Sequence, residues 1–181
     1  YYLGGWQPPF GISLVMDGLS LLFVSITALS LFLIVIYSVG YIGHHEGKYY
    51  VLYFLIAAAS MGTVLTADMF NIYVCIEMLT ITSGALIGFK RSEEASAAAI
   101  KYLIYNVLAG LLFFLGVLLI YFNLGTLSMA AVSQNFSSLE SGIQLFISAI
   151  FLTAILIKMG IFPFFFWLPK SYDSAPSPVT A

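Results

Sequence analysis

Apolar runs long enough to cross a lipid bilayer recur from residue 18 almost to residue 168, with only scattered charges between them. A run of about 18 or more apolar residues crosses a hydrocarbon core about 30 Å thick as one helix. Hydrophobic residues make up 61% of the 181, charged residues 8%, and the mean hydropathy is +1.04. A soluble domain carries about 25% charged residues, so this set cannot build a water-solvated surface. The expected fold class is all-α: a polytopic membrane protein of about five transmembrane helices in a single membrane domain, residues 1–181.

The spans are expected at about 18–43, 49–66, 69–89, 95–122 and 143–168. A lead-in, 1–17, precedes them, and a Ser/Asn/Gly-rich external loop, 123–142, joins the last two. Within that loop Leu127–Val132 suits a short interfacial helix. In the lead-in, Pro8-Pro9 cannot sit inside a helix, and Trp6 and Phe10 suit the headgroup belt. Asp17 and Asp68 stand at helix starts, where a carboxylate satisfies free amides, although each could also serve transport. Ser92-Glu93-Glu94 reads as a helix N-terminus, a capping hydroxyl followed by acids at the positive dipole end.

Basic residues alternate between the connections. Lys48, Lys90, Arg91 and Lys170 fall on one side, whereas the lead-in, 66–68 and 123–142 have none. The positive-inside rule then puts the start of the chain outside and its end in the cytoplasm, as expected of a multi-pass protein in a prokaryotic plasma membrane. The chain opens without Met or a signal-peptide pattern, and both ends read as cut points in a longer protein.

Composition also excludes functions. A net charge of −2 without a basic stripe gives nucleic acid no footprint. The single cysteine, Cys75, rules out a disulfide framework, a cysteine zinc site and an iron–sulfur cluster, and reads as a small buried hydrophobe. His44-His45 lie in a loop without spaced further ligands, and no histidine lies within a span. No metal, cofactor or redox chemistry is expected in this chain.

Glu77 is the sharpest chemical feature, since an acid in mid-span costs about 2.5–3.5 kcal/mol on insertion scales and must face protein or water. Helical spacing puts Tyr73, Thr80 and Gly84 on its face. Lys158, deep in the last span, is the natural counterpart. The alternatives are an acid that merely bonds to another helix and a lysine that snorkels to the interface. Pro163 lies five residues beyond Lys158 and would clash with the carbonyl of Met159, so the helix should break there, with Gly160 easing the distortion. An interrupted helix beside ionisable groups is a transporter device for building a midplane site. Lys101 could relay protons or snorkel. Gly84 and Gly88 form a GxxxG pair that lets helices approach closely. A lysine and a glutamate that pair and separate titrate as a unit, which moves protons without a bound cofactor.

Three stretches together resemble a known family. They are Asp68-Met69-Phe70-Asn71-Ile72-Tyr73-Val74-Cys75-Ile76-Glu77, Ala98-Ala99-Ile100-Lys101-Tyr102, and Lys158 through Trp167-Leu168-Pro169 to Ala175-Pro176-Ser177-Pro178. The chain is similar to the antiporter-like subunits shared by Mrp-type Na+/H+ antiporters, respiratory complex I and membrane-bound hydrogenases. Gly4-Gly5-Trp6-Gln7-Pro8-Pro9-Phe10-Gly11 and Asp17-Gly18-Leu19-Ser20 look most like the Mrp D branch.

The resemblance implies that the five spans are the family's third to seventh helices. Glu77 would then be the acid of the fifth, Lys101 would open the sixth, and Lys158 would be the lysine of the broken seventh. It implies partners as well: the lipid bilayer, other membrane subunits, H+ and Na+. Phe165 replaces a histidine common after the break, and the family's eighth helix and second inverted repeat are not in this chain. Resemblance also admits a proton-pumping subunit of a redox complex, or a membrane scaffold that no longer transports.

Overall fold

The computed structural model describes residues 1–6, 11–42 and 46–180. Gln7–Phe10 of the lead-in, with its two prolines, and His44-His45 lie outside the described residues. Among the described residues five helices are long and apolar enough to cross a membrane: α1 (Gly18–Ile42), α2 (Gly47–Leu65), α3 (Met69–Ile87), α4 (Glu93–Leu124) and α6 (Ser141–Met159). The described residues also form three short helices, α5 (Met129–Asn135), α7 (Leu168–Ser174) and α8 (Ser177–Thr180).

Local chemistry sets where the helices start. Asp17 accepts the Ser20 amide at 2.8 Å ahead of α1, and that bond holds its carboxyl below the usual carboxylate range. Asp68 accepts the amides of Phe70 at 3.0 Å and Asn71 at 2.9 Å, capping α3. Ser92 accepts the Ala95 amide at 3.1 Å, and Glu93 and Glu94 follow in the first turn of α4. These are the orphan amides that every helix start must satisfy. α4 ends at Gly125, whose φ of 68° is a left-handed conformation that glycine adopts without strain.

α4 is the central helix, packed between α3 and α6; α3 in turn packs on α2, and α2 on α1. Small residues set these distances. A Cβ on Gly62 would come 2.8 Å from the Cys75 sulfur, so α2 meets α3 there. Gly84 and Gly88 face Leu103 and Ala99 of α4, and Gly116 of α4 faces the ring of Phe151 on α6. Close backbone approach of this kind replaces the hydrophobic effect as the packing device in lipid. α1 rests on α2 and α8 and keeps most of its apolar surface outward.

The two ends of the bundle are closed differently. At the end away from Lys48, Lys90 and Arg91, three connecting segments pair through their backbones. The Val15 amide donates to Leu65, the Ala67 amide to Ser13, the Met69 amide to Leu127 and the Met129 amide to Ala67, all at 2.8–2.9 Å. We call this the latch end. The stretch expected as loop carries α5 and a 3₁₀ turn at Phe136–Ser138, and α4 runs on to Leu124.

At the other, basic end, the last span is shorter than a single helix over 143–168. α6 stops at Met159, and the stop is made by Gly160 rather than by Pro163. Gly160 has φ 62°; its amide donates to Ile157, and the next amide, of Ile161, donates to Leu156. That is a Schellman turn, which caps the last carbonyls of a helix. Pro163 therefore lies beyond the helix, and no Met159 carbonyl clash arises. The chain then makes a 3₁₀ turn at Phe165–Trp167 and resumes as α7 and α8.

Candidate functional site: an intramembrane lysine–glutamate pair

Glu77 lies near the middle of α3, and Lys158 lies in the last turn of α6, at the negative end of that helix's dipole. α4 runs between them with Asn106 and Gly110 facing the same point. The Lys158 ammonium donates to Thr80 Oγ1 at 2.8 Å, to the Asn106 carbonyl at 3.2 Å and to Glu77 Oε1 at 3.3 Å. An ammonium has three donors, and each has an acceptor from a different residue. The two charged side chains are 16% and 17% exposed, so lysine does not snorkel away. At an effective dielectric of about 20 such a pair attracts by several kcal/mol, which offsets part of the cost of taking both charges out of water.

Gly110 makes room for the acid. A Cβ at that position would lie 1.9 Å from Glu77 Oε1, inside the carboxylate's own volume. Asn106 is buried and donates from its side-chain amide to the Tyr102 carbonyl at 3.0 Å, one turn back. Tyr102, Asn106 and Gly110 therefore form one stripe along α4 at a spacing of four. Sequence reading passed over Asn106 and Gly110. The signal was present: a polar residue within a span, four residues from a glycine and four from a tyrosine.

Above the pair, toward the latch end, the packing is apolar. Phe113 meets Phe151 edge-on at 4.8 Å, and both join Ile76 and the buried Ala154 in one cluster. Tyr73 stacks on Phe114 at 4.8 Å rather than reaching the acid through a hydrogen bond. Below the pair, toward the basic end, lies a cavity of about 320 Å³ that includes Tyr49, Tyr53, Tyr102, Ser83 and Ser171 in its walls. A second hollow of similar volume opens beside Lys158, between Thr80, Asn106 and Ile155.

Of the other residues singled out, Lys101 is half-buried and makes no hydrogen bond or ion pair among the described residues. Its helical position turns it about 100° from the Tyr102 stripe, so the structure does not bring it to the pair. Gly160 and Pro163 shape the turn below Lys158. The indole N–H of Trp167 folds back onto the Ile157 carbonyl at 3.0 Å and helps satisfy backbone freed at membrane depth. Cys75 packs against Gly62, and no cluster of metal-ligating residues occurs among the described residues.

Fold and site together define a class: an all-α polytopic membrane protein with a part-buried ion pair beside an interrupted helix. Residues 66–181 match the family model described as the NADH:quinone oxidoreductase/Mrp antiporter transmembrane region, and the chain belongs to that family. It is 36% identical to the D-type subunit of the Na(+)/H(+) antiporter of Alkalihalophilus pseudofirmus and 38% identical to that of Bacillus subtilis, over 99% of this chain and 37% of each relative. The N-type subunit of the NADH-quinone oxidoreductase of Desulforudis audaxviator is 34% identical over the whole chain and 37% of its own length. Among solved structures, a chain of an archaeal membrane-bound sulfane sulfur reductase superposes with a TM-score of 0.92 at 30% identity, covering 99% of this chain and 37% of that one. A chain of the Mrp complex from a Dietzia species gives 0.84 at 27% identity, covering 99% and 34%. The chain thus spans little more than a third of the length of these relatives.

Proposed function

We propose that this chain forms the ion-translocating part of a D-type subunit in a multisubunit Na+/H+ antiporter, with Glu77 and Lys158 as the working pair. The observation that carries this reading is the threefold acceptor set of Lys158, two fixed polar groups and one acid that can change its own charge. When Glu77 is ionised, the ammonium is held. When Glu77 is protonated or drawn away, Thr80 and Asn106 remain as neutral acceptors and the lysine proton is easier to release. One charge moved across 100 mV is worth about 2.3 kcal/mol, roughly half of the attraction between the two charges at an effective dielectric of about 20. The identities to D-type antiporter subunits support the antiporter, as does the Mrp neighbour.

In this reading the latch end faces outward and the basic end faces the cytoplasm of a prokaryotic cell, by the placement of Lys48, Lys90, Arg91 and Lys170. H+ and Na+ are the ions, and further membrane subunits complete the pathway. The superposition on a respiratory complex favours a second reading, a proton pump powered by electron transfer elsewhere in its complex. A scaffold that no longer transports is the third.

Glu77→Ala and Lys158→Ala in the full-length subunit, assembled in its complex, should abolish cation-dependent proton movement in inverted vesicles without loss of assembly. Wild-type activity in both would defeat the transport reading and leave the scaffold. Movement driven by an imposed sodium gradient marks an antiporter, whereas movement only with an electron donor marks the redox complex.

A further inference from the structure

One side chain stands between the pair and the cavity at the basic end. Tyr102 is the residue common to that cavity and to the hollow beside Lys158. It is tied to every part of the site. It shares the cavity wall with Ser83 of α3, one turn from the Thr80 that receives Lys158. Its ring meets Trp167 edge-on at 5.2 Å and 78°, and Trp167 in turn bonds the carbonyl next to Lys158. Its own carbonyl takes the Asn106 side-chain amide, while the Asn106 carbonyl takes the lysine. On the latch side Phe113, Phe151 and Ile76 pack over the pair, and the one tyrosine there, Tyr73, is stacked on Phe114 and lines neither hollow.

We propose that Tyr102 is the gate through which the pair exchanges protons with the basic-end cavity. The aromatic ring keeps bulk water from the ammonium, and the hydroxyl lets a proton through. In each passage the phenol oxygen takes a proton from a donor on the cavity side as its own proton leaves to an acceptor on the pair side. The phenol is neutral before and after, and rotation about its C–O bond resets it. Water and hydroxyls of Ser83, Ser171 and the neighbouring tyrosines supply the cavity side. Tyr102 acts through the pair and is a positioning and relay group; the proposal rests on the reading of Glu77 and Lys158 as a translocating pair.

The test uses the full-length subunit in its assembled complex, reconstituted in vesicles. Tyr102→Phe keeps the ring and loses the hydroxyl; proton-coupled turnover should fall about tenfold with the KM for the cation unchanged. Tyr102→Ala opens the gate; a proton leak should appear in the absence of counter-cation. A purely structural role would not move these two variants in opposite directions. Should Tyr102→Ala fail to assemble, Ser83→Ala removes a hydroxyl of the cavity wall beside Tyr102 and should slow turnover in the same sense as Tyr102→Phe. Wild-type turnover in both Tyr102→Phe and Ser83→Ala, with Glu77→Ala and Lys158→Ala inactive, overturns the gate and leaves the pair standing. Full activity in Glu77→Ala and Lys158→Ala defeats the pair itself.

Discussion

The latch end and the basic end solve the same problem, loose backbone near a membrane, by opposite means. At the latch end, segments around residues 13–15, 65–69 and 127–129 pair amide to carbonyl. Main-chain bonds of this sort do not depend on which side chains are present and have one arrangement. At the basic end the freed groups below Lys158 are met by a left-handed glycine, an indole and a tyrosine packed on that indole. Side-chain contacts have alternative rotamers. One end is tied by main-chain bonds between segments distant in the chain, and the other, beside the charged pair, leans on an indole and a tyrosine as well as on a backbone turn.

Substitutions can break this contrast, and they rank by expected effect. Gly110→Val should be the most damaging. Its side chain would take the space of the Glu77 carboxylate, and displacing a working group by about 1 Å can cost a hundredfold. Proton flux should drop by about that factor while far-UV circular dichroism stays helical. If flux persists, the pair is not where the work is done.

Gly160→Ala strains a residue at φ 62° and crowds Leu168, at a cost of about 1–2 kcal/mol. Trp167→Phe keeps the aromatic packing and deletes one buried hydrogen bond, about 1 kcal/mol. Both should lower thermal stability and also slow transport, since they loosen the floor beneath Lys158. Asp68→Ala removes the α3 cap at the latch end, about 1 kcal/mol by the usual scale. Its melting temperature should fall by a similar amount with transport per assembled complex unchanged. Equal loss of transport in the cap variant and the Trp167 variant would erase the distinction between the ends.

Asp17 should matter least. Its carboxyl titrates lower in the fold than in the unfolded chain. Its contribution is therefore present above the ordinary carboxylate range and fades as pH falls through the folded value. The difference in melting temperature between wild type and Asp17→Ala should be small at neutral pH and vanish on acidification.

Much of this was legible residue by residue, because the bilayer makes local rules strict. Length and apolarity set the five helices, and short-range caps such as Asp68 and Ser92 could be read from their places before apolar runs. Glu77 and Lys158 stood out because charge within a span is costly wherever the other helices lie. The break near Lys158 was visible too, yet its cause was misplaced. A proline announces itself in a sequence, whereas a Schellman turn needs the carbonyls of Leu156 and Ile157 in position before Gly160 can close it.

Tertiary structure alone decided the rest. The latch joins segments distant in the chain through backbone atoms, which every residue carries, so no side-chain pattern marks it. Lys101 and Lys158 look alike as lysines within spans; only the packing of α4 between α3 and α6 gives one of them an acid, a hydroxyl and a carbonyl and leaves the other without a partner among the described residues. Sequence determined that charges lie in the membrane, since that follows from each span's own composition. Which charges meet, and that Tyr102 stands at their exit, depends on distances between helices, and those were set by Gly84, Gly110 and Gly116 against their neighbours.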